Sequence, residues 1–254
     1  MIELVRIGRP TERPSLVAVP GIDGSIGSVE PIVRALAGDR QVVVVDYTKE
    51  ENPTLEALSA EIAGIVDDGV EGTIDIIGQS IGTIAAAQVA SRHLTTRVRR
   101  TVLMCTFTDL TDWRLRVGNF SLRLTPDWLY RRMAPLTMAY VCGPVGDGDD
   151  HPFFAAARQS SRKGVMKRTA WQIGRDFSDD IAAVPQPLLV LMGARDRFVP
   201  DLQREIEKLR TLLADRPASV VSVPDGGHVL LDSGAVDTAV AEIERFLETA
   251  AADN

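Results

Sequence analysis

The chain predicts an α/β architecture, a mainly parallel twisted sheet with helices on both faces, and three observations carry that prediction. Short aliphatic runs alternate with longer helical patterns toward both ends of the sequence, several runs are apolar throughout, and Gly, Pro or polar residues close them. A strand covered on one face alternates apolar and polar side chains, whereas one covered on both faces has no polar side, so continuous runs point to a sheet between two helical layers.

In chain order, Ser15 to Val19 and Gln41 to Asp46 are the first such runs, followed by Thr73 to Ile77, Val98 to Cys105, Leu188 to Met192 and Ala218 to Val223. Between them Val29 to Ala37, Thr54 to Asp67, Ser80 to His93, Asp201 to Ala214 and Val236 to Ala250 have helical patterning. Thr54 is placed to cap the second helix, and Glu56 adds an acid to the first turn, where the helix dipole favours negative charge. The alternation breaks from about 107 to 183, a helical insertion that holds all three tryptophans, Trp113, Trp128 and Trp171, and a turn-rich acidic loop from Cys142 to Asp150. Residues 250 to 254 are expected to fray.

At 254 residues, with 45% hydrophobic and 25% charged side chains, the chain has the composition of one soluble domain with its own core, 1–254, and no linker divides it. Its 28 basic and 35 acidic residues give a charge of −7, which argues against a surface built to coat nucleic acid. The two cysteines, Cys105 and Cys142, and the absence of a basic, apolar leader after Met1 fit a reducing, cytoplasmic setting. The longest apolar runs fall short of the ~20 residues a membrane-spanning helix needs.

Gly78-Gln-Ser-Ile-Gly82 lies where a strand is predicted to end and a helix to begin. Such an abrupt turn forces the serine backbone into a strained conformation, and Gly on either side removes the clashes it would otherwise cause. Ser80 then stands at the carboxyl edge of the sheet beside unpaired helix N–H groups. The bland reading is a Gly-rich turn with Ser80 as a simple cap. A serine nucleophile needs a neutral imidazole to take its proton. Of three histidines, His93 is ~20 Å along the helix from Ser80 and cannot return, and His151 sits in the insertion beside a turn. His228, after Pro224-Asp-Gly-Gly227, is the candidate.

The acid that orients the imidazole is expected at Asp196, just past the Leu188 to Met192 run, with Asp109 as its rival; Asp201 reads as a helix cap and Arg195 and Arg197 as solvent-facing. An oxyanion site needs two backbone N–H groups, and the turn Val19-Pro-Gly-Ile-Asp-Gly24 offers that of Ile22 to pair with that of Ile81. Asp23 is expected to bond within its own loop.

The motifs at Pro20 to Gly24, Gly78 to Gly82, Gly193 to Pro200 and Gly227-His228, in that order, resemble the α/β-hydrolase superfamily over nearly the whole chain. The resemblance implies an eight-strand-type sheet and a helical cap inserted after its sixth strand, where the aromatic insertion falls; with only Ile2 to Ile7 ahead of the first turn, the first strand is expected to be missing. The Pro-Gly-x-x-Gly opening is similar to thioesterase domains and small esterases. Cys105 to Asp109 and the Trp-rich stretch to Met133 are similar to maspardin-like members, which implies binding as an alternative to turnover.

Two classes follow: a serine hydrolase of a carboxylic ester or thioester, working through an acyl-enzyme on Ser80, and a non-hydrolytic binding protein on the same fold. Acyltransferase and lyase variants would use the same three residues. Trp113, Phe120, Trp128 and Met133 are candidates to line an apolar acyl pocket, the competing use being core packing of the cap. Arg158 to Arg175 holds six basic residues and no acid, a patch for a carrier protein or CoA unless it is a solvated helix face. No nucleotide fingerprint and no metal-ligand spacing occur, so no cofactor is expected.

Overall fold

The computed structural model describes residues 2–49, 54–110, 113–142 and 152–249. Seven strands form one sheet: β1 (Glu3–Ile7), β2 (Ser15–Val19), β3 (Val42–Asp46), β4 (Ile74–Gln79), β5 (Val98–Met104), β6 (Leu188–Gly193) and β7 (Ala218–Val223). Their order is β1-β3-β2-β4-β5-β6-β7, parallel except for β1, which pairs antiparallel with β3. The segment Glu3–Ile7 is therefore a strand of the sheet. As an edge strand its Glu and Arg side chains face solvent, which is why it lacks the apolar run that marks the buried strands. Among the described residues no strand precedes β1, so on the eight-strand pattern β5 takes the sixth place and the insertion follows it.

Alternate side chains of the central strands feed two cores. On one face Val17, Val43, Ile76, Leu103 and Val190 pack against α2 (Leu55–Gly69), α3 (Ile81–Gln88) and α9 (Leu202–Leu212) through Leu58, Ile62, Ile84 and Leu209. On the other, Leu16, Val44, Ile77, Val102 and Leu191 meet α1 (Glu30–Leu36) and α10 (Ser233–Glu248) through Ile32, Val33, Ala239 and Ile243. The Thr54 side chain accepts from the Ala57 amide and Asp201 from the Arg204 amide, so both act as the helix caps their positions predicted. The helix that starts after Ser80 ends in a π-helical turn at Val89–His93, which carries His93 to its far end.

Between β5 and β6 lie α4 (Trp113–Leu124), α5 (Asp127–Cys142), α6 (Pro152–Gln159), α7 (Arg162–Ala170) and α8 (Ser178–Ala182). The acidic loop after Cys142 and His151 lie outside the described residues. The cap's entry is anchored by Phe107, fully buried against the rings of Phe177 and Phe198. Phe107→Ala is expected to lower the unfolding free energy by about 3–5 kcal/mol, whereas the exposed Trp128→Ser should change it by less than about 0.5 kcal/mol. Urea titrations of the two variants check the contrast. Among the described residues no helix is long and apolar enough to cross a membrane.

Candidate active site

The carboxyl ends of β4, β6 and β7 bring three distant side chains together. Ser80 is forced into the left-handed region, φ 53° and ψ −128°, by the turn from β4 into α3, and its amide donates to the Met104 carbonyl at 2.9 Å. Glycine is required on both sides: a Cβ on Gly78 would meet the Gly82 carbonyl oxygen at 2.6 Å, and one on Gly82 would meet the Pro20 carbonyl oxygen at 2.0 Å.

The Ser80 Oγ lies 2.7 Å from His228 Nε2, and the other ring nitrogen, Nδ1, lies 2.7 Å from Asp196 Oδ2. All three side chains are buried. The second carboxylate oxygen of Asp196 accepts from the Phe198 amide at 2.7 Å and the Val199 amide at 3.2 Å, which fixes the acid from behind. The Phe198 ring covers the imidazole with centroids 4.4 Å apart. Asp109 is elsewhere, paired with Lys208 at 2.9 Å, so it is Asp196 that faces His228. Arg195 pairs with Asp225 at the surface and Arg197 is exposed.

Ile22 lies in the loop after β2 and Ile81 opens α3; neither backbone amide donates to another group among the described residues. Gln79, Tyr47 and Arg168 make contacts around these turns that were not singled out in the sequence. The Gln79 side-chain amide donates to the His228 carbonyl at 3.0 Å, tying the Ser80 and His228 turns together. The Tyr47 hydroxyl reaches the Gly21 carbonyl at 2.6 Å and also contacts that of Pro20. Burial pushes the Tyr47 phenol far above its usual range, so it stays protonated and donates. Arg168, from α7, donates to the carbonyls of Ile22 at 2.6 Å, Asp23 at 3.2 Å and Tyr47 at 3.3 Å while its guanidinium lies over the Tyr47 ring. Asp23 bonds within its own loop to the Ser25 hydroxyl; burial pushes its carboxyl up, against the opposing pull of Ser25 and Arg168.

Two expectations for the cap change. Trp113, Phe120, Trp128 and Met133 are 68%, 60%, 69% and 45% exposed, so they stand largely in solvent rather than closing over Ser80. The inward positions of α4 and α5 are held instead by Leu115, Asn119, Tyr130 and Ala134. The basic stretch Arg158 to Arg175 is not one patch: Arg168 is buried in the loop contacts above, Arg162 pairs with Asp127 and Arg175 with Glu56. A periodic run of cations does not reveal which of them finds an internal acceptor.

The Cys105 thiol lies within 4.8 Å of the Asp196 and His228 ligand atoms, but Ser80 and Asp196 already engage both imidazole nitrogens. That trio is built as a hydrogen-bonded relay. A doubly wound sheet with a serine on a strained strand-to-helix turn and an Asp-backed imidazole beside it defines the class of α/β hydrolases. The chain belongs to the Alpha/beta hydrolase family, whose sequence model it matches over residues 16–242. Its fold is similar to that of an enol-lactonase from Burkholderia xenovorans LB400, at TM-score 0.76 and 18% identity, over 97% of this chain and 96% of that one. A hydrolase from Pseudomonas aeruginosa PA01 is similar at TM-score 0.79 and 18% identity, over 98% and 94% of the two chains. A hydrolase from Oleispira antarctica is similar at 0.77 and 15%, over 97% and 94%. No curated protein matches the sequence.

Proposed function

We propose that the chain is a serine hydrolase of carboxylic esters, one domain over 1–254 with its cap at about 107–183, acting in the cytoplasm. The observation that carries this reading is the unbroken relay from Ser80 Oγ to His228 Nε2 and from His228 Nδ1 to Asp196, 2.7 Å at each step. His228 takes the hydroxyl proton as Ser80 Oγ attacks the ester carbonyl carbon, and Asp196 stabilises the imidazolium so formed. The amides of Ile22 and Ile81 hold the negative oxygen of the tetrahedral intermediate. When the C–O bond breaks, His228 returns the proton to the leaving alcohol; water, deprotonated by the same ring, then releases the acid from Ser80. A pure binding protein has no use for an oriented base, which favours turnover over the maspardin-like alternative. The ester is preferred to the thioester because Arg162, Arg168 and Arg175, half of the basic run, are occupied within the protein.

A panel of short p-nitrophenyl esters and acyl-CoA thioesters tests the reading. Ester turnover with slower thioester turnover is expected; folded protein that hydrolyses neither would overturn it. The Gly21 carbonyl that Tyr47 holds belongs to the same peptide plane as the Ile22 N–H, so Tyr47 acts as a positioning residue for the oxyanion donor. Tyr47→Phe is expected to lower kcat about tenfold with KM nearly unchanged, the signature of an interaction felt mainly in the transition state. A purely structural role would instead lower the melting temperature and leave kcat per folded molecule intact.

A further inference from the structure

The cap leaves an unusual surface. Trp113, Val117, Phe120 and Leu124 recur along α4 at helical spacing and fall within about 60° of one another around its axis. All four are more than half exposed, as are Trp128 and Leu136 on α5. A soluble chain rarely leaves so many large apolar groups on two consecutive helices. Charge singles out the same stretch. From Trp113 to Leu136 there are five arginines and one acid, Asp127, four positive charges net, which leaves the rest of the chain at −11. Arg116, Arg123, Arg131 and Arg132 are all exposed. Beside the apolar stripe, Arg123 borders a cleft of about 560 Å³ between α4 and α7 that Lys163 and Lys167 also line, together with Arg162, which is paired with Asp127. At its wall the buried Asn119 has no partner for its Oδ1 among the described residues.

We propose that this face docks on an anionic lipid surface, with the apolar side chains of α4 and α5 entering the interface and the cationic cleft seating a lipid headgroup. Helices that lie in a bilayer interface combine Trp, Phe and Leu with arginines on the flanks, as these do. Protruding side chains need matching pockets in a protein partner, but none in a fluid bilayer. A second copy is disfavoured by charge, since a two-fold contact would set four positive charges against four. The net positive charge of the Trp113 to Leu136 stretch adds attraction to a negative surface.

Co-sedimentation of the whole protein with phosphatidylcholine vesicles containing about one-third phosphatidylglycerol tests the proposal. Binding is expected to be at least about tenfold stronger than to pure phosphatidylcholine, to weaken at least tenfold in high salt, and to shift the emission of the exposed Trp113 and Trp128 to the blue. Arg131→Glu with Arg132→Glu, and separately Val117→Ser with Leu124→Ser, should each reduce binding at least about tenfold. The arginine pair should still hydrolyse a soluble ester like the unaltered protein, which shows that it is folded. Equal binding to neutral and anionic vesicles, or none to either, overturns the proposal, and so does self-association or capture of an acidic polypeptide without vesicle binding. The face does not involve Ser80, so its failure leaves the esterase reading standing, and the reverse also holds.

Discussion

Ser80→Ala and His228→Ala should each lower ester kcat by about 10⁴-fold or more, and the double variant should lose little beyond either alone, because the two side chains act as one unit. The more telling variant is Asp196→Asn. One oxygen of Asp196 accepts from the amides of Phe198 and Val199 while the other faces His228 Nδ1. An asparagine must keep its carbonyl oxygen on those two amides, so its NH₂ group faces the ring and donates to Nδ1. The ring proton is then driven to Nε2 and points at Ser80 Oγ, where an acceptor is needed. A loss of about 10⁴-fold in kcat with an unchanged melting temperature is the expected result. Steady-state kinetics with one p-nitrophenyl ester, alongside thermal unfolding, checks the series.

The second large effect concerns stability. Gly82 lies where α3 crosses the end of β2, and a Cβ there would sit 2.0 Å from the Pro20 carbonyl oxygen and 2.5 Å from that of Val19. Both obstacles are backbone, so no rotamer change relieves them. Gly82→Ala is expected to cost about 3 kcal/mol or more, or to prevent soluble expression. Gly64, in the exposed interior of α2, has nothing within 4 Å of the added carbon. There the same substitution should stabilise by about 0.5–1 kcal/mol, since alanine loses less backbone entropy than glycine on forming a helix. Paired urea denaturation separates the two: equal effects would mean that the contact at Gly82 does not constrain the fold.

The convergence of the candidate site's three side chains was legible in the sequence where local chemistry and chain order agreed. Ser80, Asp196 and His228 each follow a strand and carry glycine-rich turns nearby, so their neighbours announce them. Elimination among three histidines did the rest. Tyr47 and Gln79 had no such signal: one follows an apolar strand run and the other is the free position of the Gly-x-Ser motif. Their roles depend on a carbonyl supplied from a distant loop. The cap was misread for a related reason. Aromatic residues at helical spacing predict an apolar face, but not whether that face turns toward the sheet or away, and Trp113, Phe120 and Trp128 turn away. Arg168 shows the converse, a cation in a solvent-like run that points inward because the Ile22, Asp23 and Tyr47 carbonyls need a donor. Glu3 to Ile7 escaped notice as a strand because an edge strand with one wet face has no continuous apolar run.

Covalent trapping shows whether Ser80 is the nucleophile that His228 activates. Incubation with a fluorophosphonate, followed by intact mass and peptide mapping, should place a single phosphonyl adduct on Ser80, absent from Ser80→Ala and formed far more slowly in His228→Ala. Protein that hydrolyses an ester yet carries the adduct on another residue, or reacts equally fast without His228, would contradict the account.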